Sequence, residues 1–529
     1  MHSVHDAMAV PTSGRSRRWL RNVATSYGDI LVGGAIYVAF TPFLVHHLGL
    51  EAFAVWVVSH TITFYLSLLD LGFGQAHVRF HARHAARGQR EAVHRLAGTI
   101  APALALAGLV AAVLAGLIAV APLERWFQVS TVLEADLRLV VVILGLNLLI
   151  SLPGSTLENV YEGEQRFDIR NLRSIVLRLI TVAVQVALLL NGYGIVALAA
   201  VELGVSVLRV GIDLVLANRL VPGLLRTRVA MDPRVWRRIR PFALWAFVDD
   251  LLVEGSAHLD KLLVAVFLPM ALLTPYALCA ALAGLIFLAV RPVTETFFPM
   301  AAGLHARGKR LELSQLLLSG TKAVLGLTTP IAIMLVFFGE TVLLTWVPDV
   351  GESLTPGLLQ LVVLTFYFSA AWWTATLVLM AVNRIRLVAV MTLVELALAL
   401  ALIVLLVPSY GLIGFATAAL VANVIVAFGV LMPAVCGSTG LPPRAFLAAT
   451  FGRMILVSLP AMLLAAGFHV VVEESGWPTL IAAAAVVALV YALSVFWGGL
   501  DAWERNQAVA LLKKLSASFE LRLSEVKRP

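Results

Sequence analysis

The run NVATSYGDILVGGAIYVAFTPFLVHHLGLEAFAVWVV, Asn22 to Val58, decides the fold. Its apolar stretch from Ala24 to Val45 follows Arg15, Arg17, Arg18 and Arg21. It is too long for the core of a signal peptide and reads as a first membrane span that is kept and not cleaved. A spanning helix needs about 20 mostly apolar residues. Outward from this run, stretches of that kind recur at 24–45, 52–75, 97–121, 137–157, 173–191, 195–217, 242–267, 274–295, 313–337, 357–381, 387–407, 411–434, 450–472 and 479–498. Composition agrees, with 60% of the 529 residues hydrophobic, 13% charged and a mean hydropathy of +0.93. These values exclude a water-soluble globular chain. The expectation is an all-α polytopic membrane protein of about fourteen transmembrane helices, with no room for a sizeable soluble domain.

Basic residues sort by connection. Alternate connections carry Arg79, Arg83, Arg87, Arg90 and Arg95; Arg166, Arg170 and Arg173; Arg219 through Arg240; Arg307, Lys309 and Arg310; Arg384 and Arg386; Arg444 and Arg453. The opposite connections hold only Arg125 and Arg138, beside acids such as Glu124, Glu340, Asp349, Glu352, Glu473 and Glu474. This is the positive-inside bias, and it places both termini of a multi-pass protein in the cytoplasm. It also accounts for the net charge of +8 without a nucleic-acid partner. Cys279 and Cys436 lie in or beside spans, far apart, and read as packing residues. NGYG at Asn191 to Gly194 and SYGLIG at Ser409 to Gly414 read as tight reversals between helices. PRVWRRIRPF, Pro233 to Phe242, is a basic segment suited to the interface. The tail 501–529 has the apolar spacing of an amphipathic helix lying on the cytoplasmic surface.

Ionisable residues at membrane depth cost about 2.5 to 3.5 kcal/mol each on insertion scales, so they ordinarily face a polar interior and serve a purpose. The seventh span, ALWAFVDDLLVEGSAHLDKLLVAVFLP, is the richest. At helical spacing Asp250, Glu254, His258 and Lys261 share an arc of about 80° and a stripe about 16 Å long, with Asp249 and Asp260 beside it. Asp29, Asp249, Asp250, Glu254, His258 and Asp260 are therefore candidates for ion coupling, because neighbouring carboxylates and histidine exchange protons near neutrality. A plain salt bridge between Glu254 and Lys261 is the structural alternative. Arg178, Arg209, Arg291 and Lys322 lie within or at the edges of spans. With Lys261 they form a candidate set for a phosphate-bearing headgroup, since guanidinium offers a forked donor. Arg178 and Arg291 are also placed to snorkel to the interface. Asp29, Asp70, Glu202 and Glu395 are available as partners for these cations. His77, His81, His84 and His94 crowd the connection after the second span; with no flanking acidic or cysteine ligands, they read as a wet basic loop and not a metal site.

The opening run, followed by FYLSLLDLGFGQAHVRFHAR, resembles polysaccharide-biosynthesis flippases of the Wzx type in the MOP superfamily. The residues that carry the resemblance are Pro42, Leu48 with Gly49, Trp56, and Asp70 with Leu71 and Gly72. YEGEQRFDIRN, Tyr161 to Asn171, and HLDKLLVAVFLP resemble further family segments, whereas Leu268-Pro269 departs from the expected second Leu-Gly. The resemblance implies two six-helix lobes around a central cavity, alternating access, and an undecaprenyl-diphosphate-linked sugar as cargo. A parallel repeat is consistent with it, because a shift of 220 residues brings Asp29 onto Asp249, Leu48 onto Leu268 and Trp56 onto Tyr276. The expected organisation is an N-lobe at 1–230, a C-lobe at 231–440, two added helices at 441–500 and the tail at 501–529.

The expected function is a flippase that moves a lipid-linked oligosaccharide to the periplasmic leaflet for O-antigen, capsule or exopolysaccharide synthesis. The alternative is a MATE-type cation-coupled multidrug antiporter, for which the seventh-span acids speak. An enzyme is not expected, because the longest outer connection is about fifteen residues and no nucleophile motif, metal cluster or phosphate loop is present. No catalytic residue, cofactor or metal is assigned. The expected partners are the lipid-linked oligosaccharide, membrane lipids, and a polysaccharide polymerase with its chain-length machinery, around a monomer.

Overall fold

A computed structural model describes residues 13–226, 229–294, 297–472, 476–499 and 505. Among them there is no β-strand, and an isolated bridge joins Gln128 to Pro269. The tail at 501–529 lies outside the described residues except for Arg505, as do Glu473, Glu474 and the side chains of Arg15, Arg17 and Arg18.

The chain divides into two compact units, Met1–Thr274 and Pro275–Pro529. The first unit contains α1 (Ser13–Leu48), α2 (Leu50–Ser67), α3 (Phe73–Ala85), α4 (Arg90–Val120), α5 (Leu123–Trp126), α6 (Thr131–Gly163), α7 (Phe167–Leu190), α8 (Ile195–Leu220) and α9 (Pro233–Phe267). The second begins with α10 (Leu273–Ala283) and continues through α11 (Leu285–Thr294), α12 (Phe297–Ala306), α13 (Arg310–Trp346), α14 (Leu358–Ala381), α15 (Ile385–Val426), α16 (Met432–Thr439), α17 (Pro443–Leu447), α18 (Arg453–Val472) and α19 (Trp477–Ser494). In the first unit α4 and α6 approach closely through the small residues Gly108, Ala115 and Gly145, as helices do where lipid supplies no hydrophobic drive between them. In the second, Trp372 packs against Phe428, Phe446 and Phe451 at 5.2, 5.7 and 5.4 Å.

Among the described residues, twelve helical runs are long and apolar enough to cross a membrane. Two details relate these to the fourteen stretches of the sequence. First, α9 is a continuous helix of 35 residues, but its ionisable side chains take it outside the apolar set. Second, Ile385–Thr439 forms one run of 55 residues, about 80 Å by helix rise against about 30 Å of hydrocarbon. This run is broken at Gly411, whose φ of 54° and ψ of −131° are not helical. A Cβ at Gly414 would lie 2.5 Å from the Leu406 carbonyl, eight positions back. In a straight helix those positions are about 12 Å apart. The chain therefore folds back, and the run is a pair of helices.

The segment Asp70-Leu71-Gly72 links α2 to α3. Leu71 and Gly72 take φ values of 51° and 73°, and the Asp70 carboxylate accepts from the Gly72 N–H at 2.9 Å. A Cβ on Gly72 would lie 2.2 Å from the Ala243 carbonyl. Glycine thus supplies both the left-handed turn and the close approach of α3 to α9. The segment Pro233 to Phe242 forms the first turns of α9, continuous with the span that follows.

Candidate functional site

The polar stripe of α9 packs against α2 and α3. Gln75 donates to the Asp250 carboxylate at 2.8 Å, and His258 stacks on Phe64 with ring centroids 4.0 Å apart. Tyr65 donates its hydroxyl to the Gly255 carbonyl at 2.7 Å, and the Asp260 carboxylate accepts from the Lys261 backbone N–H at 2.7 Å. Asp250, His258, Asp260 and Lys261 are all half-buried. The side chains of Asp249 and Glu254 lie outside the described set.

Polar contacts also join α1 to α7 and the loop before it. Arg21 pairs with Asp168 at 2.7 Å, Asn22 donates to the Gln165 carbonyl at 3.0 Å, and Asn171 donates to Ser26 at 2.9 Å. Two turns further along, Arg178 pairs with Asp29 at 3.5 Å and donates to its carbonyl at 3.2 Å. A headgroup candidate and a coupling candidate are therefore one ion pair. Arg209, half-buried on α8, acts electrostatically on Glu158 and makes no ion pair among the described residues. In the second unit Arg291 is exposed at the end of α11 and Lys322 is half-buried on α13.

Of the acids expected to partner these cations, Asp29 alone does so among the pairs described. Asp70 is turned to the backbone of α3, Glu202 faces His60 at 3.5 Å, and Glu395 accepts from Asn423 at 2.8 Å. Asp70 and Glu395 are thus satisfied by nearer neutral donors, which removes the need for a distant cation.

The most deeply buried charges were not anticipated. Arg173, expected as a loop cation, has only 5% of its side chain exposed and pairs with Asp213, whose side chain is 2% exposed. Its second nitrogen meets Glu158 at 2.7 Å, and Tyr161 donates to the other oxygen of Asp213 at 2.8 Å. A single acid in the apolar run VGIDLVLANRL was the available signal, since an acid there requires a partner. The histidine connection differs as well. It folds as α3, with the side chains of His77 and His81 fully buried instead of wet. Helical spacing puts both on the face packed against α6, where His81 meets Glu164 at 3.1 Å. Burial, aided by the charge of His81, pushes His77 down to about 3. Burial likewise lowers His81, against the opposing pull of Glu164.

Spanning helices that keep ionised and hydrogen-bonding side chains inside an apolar exterior define a multi-pass integral membrane protein, and its fold is shared with transporters of known structure. Similar solved structures include the lipid II flippase MurJ in an inward closed conformation, with a TM-score of 0.66 and 12% identity over 89% of this chain and 97% of that one. An inward-facing multidrug resistance MATE transporter matches at 0.61 and 13%, over 75% of this chain and 93% of that one. An outward-facing MATE transporter matches at 0.55 and 13%, over 80% and 95%. No curated protein matches the sequence. Residues 49–348 match the family described as polysaccharide biosynthesis protein, and the chain belongs to that family.

Proposed function

We propose that this protein flips an undecaprenyl-diphosphate-linked oligosaccharide from the cytoplasmic to the periplasmic leaflet of the bacterial inner membrane, for O-antigen, capsule or exopolysaccharide synthesis. The observation that carries this reading is the family match over residues 49–348. A fold shared with a lipid II flippase supports it. A diphosphate headgroup needs cations not already neutralised, and among the described residues neither Arg209 nor the Lys261 ammonium forms an ion pair. Arg178, held by Asp29, serves less directly; Lys322 and Arg291 complete the headgroup set. Asp29, Asp249, Asp250, Glu254, His258 and Asp260 form the coupling set. The protein works as a monomer, both termini cytoplasmic, and delivers its cargo to a polymerase and its chain-length machinery.

Cells carrying Arg209→Ala or Lys261→Ala are expected to lose glycan export at least tenfold, about 1.4 kcal/mol or more of headgroup binding. The lipid-linked precursor accumulates on the cytoplasmic side while the protein remains inserted. Normal export in both mutants overturns the headgroup assignment. The acids on α9 favour a second reading, a cation-coupled drug antiporter. Uptake of a cationic dye into proteoliposomes, abolished by Asp250→Asn, would establish that reading over the first.

A further inference from the structure

The exposed face of α9 changes character along its length. Arg234, Arg237 and Arg238 are exposed in the first turns, and Leu244 and Trp245 are exposed beyond Pro241, with Trp245 at 60%. An indole at the junction of a basic and an apolar stretch marks headgroup level, where amphipathic rings concentrate. The opposite face of the same turns is committed to the core. Trp236 stacks on Phe73 at 4.8 Å, and Ile239 and Ala243 are buried against α3 and α4. The arginines are thereby turned outward. Helix α3 packs on this stretch and adds Arg79 and Arg83, both exposed, with the Arg79 guanidinium 4.3 Å from the Phe242 ring centroid. Arg87 extends the surface in the turn after α3. Among the described residues of 73–95 and 229–245, Glu91 is the one exposed acid.

The positive-inside bias asks only for positive charge, which lysine supplies as well as arginine. Yet the first lysine of the chain is Lys261. A planar fork of donors matches phosphate oxygens in a way an ammonium does not. These arginines spread across two helices and a turn, an arrangement suited to a layer of headgroups and not to one bound molecule.

We propose that the arginine face of α3 and the first turns of α9 is a docking surface for the phosphodiester headgroups of anionic glycerophospholipids. The protein gathers a local shell of such lipids there, whatever its cargo.

The full-length protein in phosphatidylcholine vesicles, probed with spin-labelled phosphatidylglycerol and phosphatidylcholine, tests this. The motionally restricted fraction is expected to favour phosphatidylglycerol several-fold. That preference falls toward unity when salt rises from about 0.1 to about 1 M and the screening length shortens from about 10 to about 3 Å. In a variant combining Arg79→Gln, Arg83→Gln, Arg234→Gln, Arg237→Gln and Arg238→Gln the preference is lost, and with lysine at the same positions it is only partly kept. No preference in the wild type, a preference indifferent to salt, or an undiminished preference in the glutamine variant overturns the proposal. The salt titration uses the unmodified protein, so it stands if the variant fails to fold. It needs no glycan, so its failure leaves the transport reading untouched.

Discussion

Arg173 and Asp213 show what a single buried pair does in a protein surrounded by lipid. With 5% and 2% of their side chains exposed, neither can exchange its partner for water. Asp213→Ala leaves Arg173 beside Glu158 and takes away the acceptor of Tyr161. It is expected to cost about 3 kcal/mol, the scale of breaking a buried pair from one side. Thermal unfolding of the detergent-solubilised protein checks this, with Asp213→Asn losing less because an acceptor for Tyr161 remains. His77 carries the opposite kind of signal. The folded protein holds it down at about 3, against about 6.5 when unfolded. Below pH 6.5 the unfolded chain takes up a proton that the folded one refuses. The contribution to stability is therefore complete above pH 6.5 and is lost as pH falls toward about 3, by up to about 1.4 kcal/mol per pH unit. His77→Phe should flatten that slope in unfolding measured across this range; an unchanged profile refutes the assignment. Charge alternation placed Arg173 among loop cations and His77 in a wet loop. A residue's own neighbourhood in sequence says how apolar its segment is. It does not say which face of a second helix, forty residues away, will meet it.

At the scale of elements, the turn at Asp70-Leu71-Gly72 shows how a short motif becomes architecture. It reverses handedness for two residues, caps α3, and lets α3 sit on α9 with no side chain between them. Gly72→Ala brings a Cβ within 2.2 Å of a backbone carbonyl at a φ of 73°. The expected loss is at least about 1 to 3 kcal/mol of stability, the cost of a strained backbone residue. Gly28→Ala, where nothing lies within 4 Å, should be tolerated, and comparing their melting temperatures isolates the contact. The motif itself is legible in the sequence as part of the family resemblance. Its reason was not legible, because the partner backbone at Ala243 lies 171 positions away.

For the molecule as a whole, the helical membrane class and nearly all spans could be read directly, because apolar length is a local property that survives any arrangement of neighbours. The two places where count and structure part are α9, polar enough to fall below an apolar threshold, and the folded run at Gly411. The orientation proposed from arginine placement has a direct check. Cysteine at Arg87 should react with a membrane-impermeant thiol reagent only from the cytoplasm, and cysteine at Gly192 only from the periplasm, over a low background because Cys279 and Cys436 are buried. Labelling of both from one side contradicts the orientation. The single-residue reversal at Gly411 has a consequence for biogenesis. Its two arms leave the ribosome with almost no spacer, so neither can wait in the insertion channel for the other. They must partition into the bilayer together as a preformed hairpin, and a reporter domain spliced between them would separate arms whose entry depends on arriving as one.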